Sequence, residues 1–163
     1  MKNNTLIALL IVIVFVIIGF MALGPNTFRP TDNNSSEKTN GVVAKIYKSP
    51  ACGCCGVYAT YMKREGYEVE IEDVEDLSAV KQRLGVPYEL ESCHTTEVGG
   101  YVVEGHIPEE AIQKLLSEAP DIKGIGMAGM PSGSPGMPGP KTGDFVIHEI
   151  NHDGTKGEVF VTL

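Results

Sequence analysis

The stretch Gly41-Val-Val-Ala-Lys-Ile-Tyr47-Lys-Ser-Pro-Ala-Cys52-Gly53-Cys54-Cys55-Gly-Val57 carries three of the chain's four cysteines within four residues. The run up to Tyr47 is apolar and β-branched enough for a buried strand, and Val57 to Glu65 reads as a helix. The cysteines are therefore expected on a strand-to-helix turn. There the unpaired N–H groups and the helix dipole favour negative charge, which makes thiolate available to attack a disulfide or bind a metal. Cys52 and Cys55 form a C-x-x-C pair, the unit of a redox disulfide or of a soft-metal clamp, and Cys54 adds a third sulfur.

The fourth cysteine lies in Ser92-Cys93-His94-Thr95-Thr96, about forty residues downstream, so it reaches the turn only through the fold. Four sulfurs select Cu(I), Zn(II) or an iron–sulfur cluster. Structural zinc usually takes two separated knuckles, which adjacent Cys54 and Cys55 plus one distant thiol do not supply, whereas a thiolate-bridged copper cluster tolerates the crowding. A disulfide framework is the competing reading of an even cysteine count on an exported chain. Neighbouring cysteines tie distant segments together poorly, although a reversible Cys52–Cys55 disulfide fits either reading.

Three of the six methionines, Met127, Met130 and Met137, fall in the Gly- and Pro-rich stretch Gly124 to Pro140. That punctuation predicts a loop rather than a helix or central strand, with thioethers free to serve as soft ligands or simply to pack.

Further elements read as strand Tyr67 to Asp73, helix Ser78 to Leu84, strand Gly100 to Val103 and helix Glu109 to Glu118. A terminal hairpin pairs Phe145-Val-Ile-His148 with Glu158-Val-Phe-Val161 around Asp153-Gly154. Asp76 or Ser78 caps the second helix, Pro108 opens the third, and Pro87 is a candidate cis proline. Alternating strands and helices predict an α/β domain. A C-x-x-C turn after its first strand is the thioredoxin-like arrangement.

Residues Leu6 to Leu23 form eighteen uncharged residues interrupted by one glycine, Gly19. That length suits a single transmembrane helix over residues 1–24, and a cleaved signal peptide is the rival. Lys2 then faces the cytoplasm, leaving the rest of the chain on the extracytoplasmic side of the cytoplasmic membrane. Residues 25–40 read as a flexible tether, and 41–163 as one domain.

Tyr47-Lys-Ser-Pro-Ala-Cys-Gly-Cys-Cys-Gly56, Ser92-Cys-His-Thr95, Glu104-Gly-His-Ile-Pro108 and Gly129-Met-Pro-Ser-Gly-Ser-Pro-Gly-Met137, in that order, resemble the CopG-type copper-resistance family, long catalogued as a domain of unknown function. The resemblance runs from about Val42 to Val161. It implies a thioredoxin-like domain outside the cytoplasmic membrane that binds several copper ions through cysteines and is connected with Cu(I)/Cu(II) interconversion. The matching positions are Cys52, Cys54, Cys55 and Cys93, and copper pumps or carriers are the implied partners.

His94 beside Cys93, and His106 in the third motif, are weaker ligand candidates than the cysteines. His148 and His152 are weaker still. The formal net charge of -8 disfavours nucleic acid, since no basic stripe is present to neutralise phosphate. The run Glu68-Val-Glu70-Ile-Glu72 reads as a strand with one solvated face. No nucleotide fingerprint or serine-nucleophile motif occurs, and no residue is assigned a catalytic role.

Three functions follow: a copper-binding and copper-redox protein, a metal-independent thiol–disulfide oxidoreductase, or a disulfide-stapled interaction module.

Overall fold

The computed structural model describes Thr39 and residues 41–163. The segments expected as an anchor over residues 1–24 and as a tether over 25–40, apart from Thr39, lie outside the described residues. Thr39 is buried and its hydroxyl donates to the Glu65 carbonyl at 2.7 Å, so packing begins inside the stretch read as tether. Among the described residues no helix is long and apolar enough to cross a membrane.

The fold is mixed α/β around one seven-stranded sheet. In chain order the elements are β1 (Val43–Lys48), α1 (Gly53–Arg64), β2 (Glu68–Asp73), α2 (Leu77–Leu84), a 3₁₀ turn (Tyr88–Leu90), β3 (His94–Val98), β4 (Tyr101–Glu104), α3 (Glu109–Glu118), β5 (Gly124–Gly126), β6 (Val146–Ile150) and β7 (Lys156–Thr162). The sheet order is β2-β1-β3-β4-β5-β6-β7. The β1/β2 and β4/β5 pairs are parallel, while β1/β3, β3/β4, β5/β6 and β6/β7 are antiparallel.

Because strand side chains alternate between faces, the sheet builds two cores. Ala44, Ile46 and Val103 meet Tyr58, Ala59 and Met62 of α1 and Ile112 and Leu115 of α3 on one side. Tyr47 and Val102 join Leu84 of α2, Leu90 and Ile150 in the other cluster. Asp76 caps α2, its carboxylate accepting from the Ala79 N–H at 3.0 Å.

Several expectations are corrected. The first helix starts at Gly53, not Val57, so Cys54 and Cys55 lie in its first turn. Gly124–Gly126 is a strand inside the sheet, not part of a loop. Glycine belongs there because a Cβ on Gly124 would collide with the Val102 backbone, and one on Gly126 would stand 3.2 Å from Leu90. His94–Val98 is a strand although its sequence carries no apolar alternation. β2 lies at the outer end of the sheet, and Ile71 is exposed along with the glutamates, so neither face of its C-terminal half is covered. Every described peptide bond is trans, including that before Pro87. Pro108 precedes α3 as its extended cap residue rather than its first helical one.

Candidate metal centre

The register of β1 against β3 places Lys48 opposite His94. Cys52 follows the end of β1 and Cys93 precedes the start of β3, so both leave the sheet at the same end. The Cys52 N–H donates to the Ser49 carbonyl at 3.0 Å, a tight turn that returns the chain into α1. Cys52 occupies the cap position with extended backbone and supplies no side-chain cap. The N–H groups of the first turn are thus left to polarise the sulfurs beside them.

Cys52 and Cys55 are joined as a disulfide, and Cys54 and Cys93 are free thiols. Cys93 Sγ stands 3.5 Å from Cys55 Sγ and 3.8 Å from Cys54 Sγ, and Cys52 Sγ is 3.6 Å from Cys54 Sγ. All four sulfurs lie within 4.8 Å of one another. Cys55 is fully buried, while the other three are partly accessible, so the cluster opens on one side.

Both histidines of the motifs join this cluster at Cys93. His106 Nε2 is 2.9 Å from Cys93 Sγ, and His106 Nδ1 is 2.6 Å from the Pro135 carbonyl oxygen. A carbonyl only accepts, so Nδ1 carries the proton and Nε2 turns its lone pair to the sulfur. That pairing is the usual way a second partner orients an imidazole towards a metal or a thiol. His94 Nδ1 is 3.5 Å from Cys93 Sγ, while its buried Nε2 finds no hydrogen-bond partner among the described residues. The two rings stand edge-on at 4.7 Å, and the Tyr58 ring is 4.4 Å from His94.

Burial holds His94 well below its usual range, reinforced by His106 and Lys81. Burial also lowers His106, against the raising effect of its Pro135 hydrogen bond. Desolvation, with Cys54 beside it, pushes the Cys93 thiol up to about 12. Without a metal this corner of the site is thus neutral, two imidazoles and a thiol.

The methionines divide. Met127 is 2% exposed and belongs to the main core, so it packs as a structural side chain, the competing reading of that position. Met130 is exposed, and Met137 is half-buried on the loop after β5. That loop lies on α1 at Gly136: a Cβ there would sit 2.9 Å from Tyr58 N and 3.0 Å from the Cys54 carbonyl oxygen. His148 and His152 are elsewhere, the first near the Gly157 carbonyl and the second on Asp121.

Sequence reasoning missed the Pro135 carbonyl, which carries no side-chain signal, and a buried network of Lys81, Thr95 and Glu104. A lysine inside α2 and a glutamate closing an apolar strand were its only traces.

Residues 90–137 match the family described as "Protein of unknown function, DUF411". Comparison with curated proteins gives no match. Two solved structures, forms 2 and 1 of a copper resistance protein CopG, are similar. Form 2 is 35% identical, with a TM-score of 0.70 over 76% of this chain and 99% of the other. Form 1 is 36% identical, with a TM-score of 0.68 over 75% of this chain and 97% of the other. With a common fold and this identity over three-quarters of its length, the chain belongs to the CopG-type copper-resistance family.

Proposed function

We propose that this is an extracytoplasmic copper-binding protein of copper resistance that holds Cu(I) through Cys52, Cys54, Cys55 and Cys93. The observation that carries the reading is four sulfur atoms, from two distant parts of the chain, all within 4.8 Å of one another. Soft thiolates in that number favour Cu(I) over hard cations, and His106 Nε2 adds a borderline donor with its lone pair turned to the cluster. His94, Met130 and Met137 are subsidiary candidates. The similar structures are named for copper resistance, which supports the same choice of metal.

Copper bound at these sulfurs supplies one-electron chemistry between Cu(I) and Cu(II). The chain's own residues supply a two-electron couple: opening the Cys52–Cys55 disulfide takes two electrons and two protons and releases two more thiols to the site. Full loading therefore requires reduction first, and closure of the disulfide withdraws two ligands. The order β2-β1-β3-β4, with β1/β2 parallel and both other pairs antiparallel, supports the thioredoxin-like reading of the domain at residues 41–163.

The test is an anaerobic titration of the reduced protein with Cu(I) against a competing chelator, beside Cys93→Ser. More than one copper per chain, weakened in the variant, is expected. Absence of binding with all thiols intact discards the reading. A Cys52–Cys55 disulfide at a helix N-terminus favours a metal-independent oxidoreductase as the second reading, and metal-free reduction of insulin disulfides distinguishes it. Placement outside the membrane rests on the apolar run Leu6 to Leu23. Labelling of the thiols in intact cells by a membrane-impermeant maleimide checks it.

A further inference from the structure

A buried ion pair stands behind the sulfurs, and nothing in the copper reading uses it. Lys81 of α2 and Glu104 at the end of β4 are 3% and 0% exposed, and Lys81 Nζ donates to Glu104 Oε1. Burying two charges costs desolvation that their attraction barely repays, and apolar replacements of such pairs are often neutral or stabilising. Net stability therefore gives little reason for the pair.

Its other hydrogen bonds give a better one. Glu104 Oε1 also accepts from the Ser92 N–H at 2.6 Å, and Glu104 Oε2 accepts from the Thr95 hydroxyl at 2.6 Å. Lys81 Nζ reaches Thr95 Oγ1 at 3.1 Å. Ser92 and Thr95 bracket the dipeptide Cys93-His94, so one carboxylate grips the segment on both flanks. The Gly105 N–H donates to the His94 carbonyl at 3.1 Å, which ties the dipeptide to the residue after Glu104 as well. On the far flank the Ser92 hydroxyl donates to the Gly129 carbonyl.

We infer that Glu104 is a positioning residue for Cys93: through Ser92 N–H and the Thr95 hydroxyl it sets Cys93 Sγ against Cys54 and Cys55, with Lys81 as its counter-charge. Of the four clustered cysteines Cys93 alone does not lie on the α1 turn, so the closeness of the cluster depends on how firmly this one segment is held. A carboxylate with two oxygens can hold both flanks at once, which an apolar side chain of the same volume cannot.

The inference rests on the copper reading in its first assay and not in its second. Two double variants of the full chain separate the roles. Lys81→Met with Glu104→Gln, and Lys81→Met with Glu104→Leu, both remove the charges, but only glutamine keeps an acceptor for Ser92 N–H. In Cu(I) competition the leucine variant is expected to lose about 10- to 100-fold in affinity, the usual effect of losing an outer-shell partner, and the glutamine variant to stay near wild type. In a Cys93→Ser background the leucine change should add nothing further, because the effect runs through Cys93.

The second assay uses no metal. With Cys52 and Cys55 replaced by serine, the equilibrium of the Cys54 and Cys93 thiols with glutathione reads how closely that pair is held. Disulfide closure should weaken in the leucine variant and not in the glutamine one. If the parent chain binds no Cu(I), the copper reading fails and this assay alone decides the positioning role. Equal behaviour of the leucine and glutamine variants in both assays overturns it. Should circular dichroism show the leucine variant unfolded, Thr95→Val, which puts a methyl group in place of the hydroxyl, is compared with Thr95→Ser, which keeps the hydroxyl, under the same criteria.

Discussion

His94 sits fully buried between Tyr58, His106 and Cys93, with one ring nitrogen unpaired, and that environment accepts the neutral ring only. Its folded pKa is depressed, so the unfolded chain binds the extra proton. Stability contributed by this group is complete above the unfolded value near ~6.5 and declines as pH falls below it, by about 1.4 kcal/mol per pH unit for one proton. Denaturant unfolding of the metal-free protein at pH 7.5 and 5.5 should show the decline, and His94→Gln should reduce it to the part contributed by His106, which burial also lowers. Gly136 makes a different demand. Its φ of 83° lies in the left-handed region, and its missing Cβ lets the backbone rest on Cys54 and Tyr58. Gly136→Ala is expected to cost about 1–3 kcal/mol and to loosen the Pro135–His106 hydrogen bond, with the cost read from the unfolding midpoint.

Among the elements, the helices were the most legible in the sequence, and the two strands that were missed share a physical cause. α3 matches its expected bounds, because Glu109 to Glu118 presents Ala111, Ile112 and Leu115 at helical spacing to the core. β3 was hidden because His94, Thr95 and Thr96 are buried polar residues, and the ion pair that Thr95 bonds to is announced by no local pattern. β5 was hidden because Gly124 and Gly126 are selected by the nearness of Val102 and Leu90, a tertiary condition. The cysteine cluster was legible because the strand–turn–helix order alone places three sulfurs. Which end of the sheet receives Cys93 depended on the β1/β3 register. Helix ends give two further checks. Asp76→Ala removes the α2 cap and should cost about 1 kcal/mol. Ala119 closes α3 with φ 46°, a left-handed conformation that glycine adopts freely, so Ala119→Gly should stabilise by roughly 0.5–1 kcal/mol. Thermal unfolding of both variants, with Cu(I) affinity unchanged, is the expected pairing of results.

For the molecule taken whole, ligand binding and folding are linked. Copper that binds the folded, reduced chain and not the unfolded one should raise its stability by about 2.7 kcal/mol when free Cu(I) is a hundredfold above the dissociation constant. Differential scanning of the reduced protein with and without Cu(I) measures this, and Cys93→Ser should lose most of the gain. The Cys52–Cys55 bridge spans a separation of only three residues, so reducing it should change the unfolding temperature much less than removing copper does. The strand at the sheet's outer end has a consequence of another kind. β2 leaves a row of backbone amides and carbonyls facing outward, the surface on which chains add to one another and precipitate. Here Glu68 and Glu70 line that row and are exposed, while Glu72 and Asp73 farther along are paired with Lys45 and Lys48 of β1. A second copy approaching in either direction would bring carboxylate against carboxylate, so near neutral pH the molecule carries its own defence against self-association. Replacing Glu68 and Glu70 with glutamine removes that defence, and light scattering would register the loss as concentration-dependent growth of the particle.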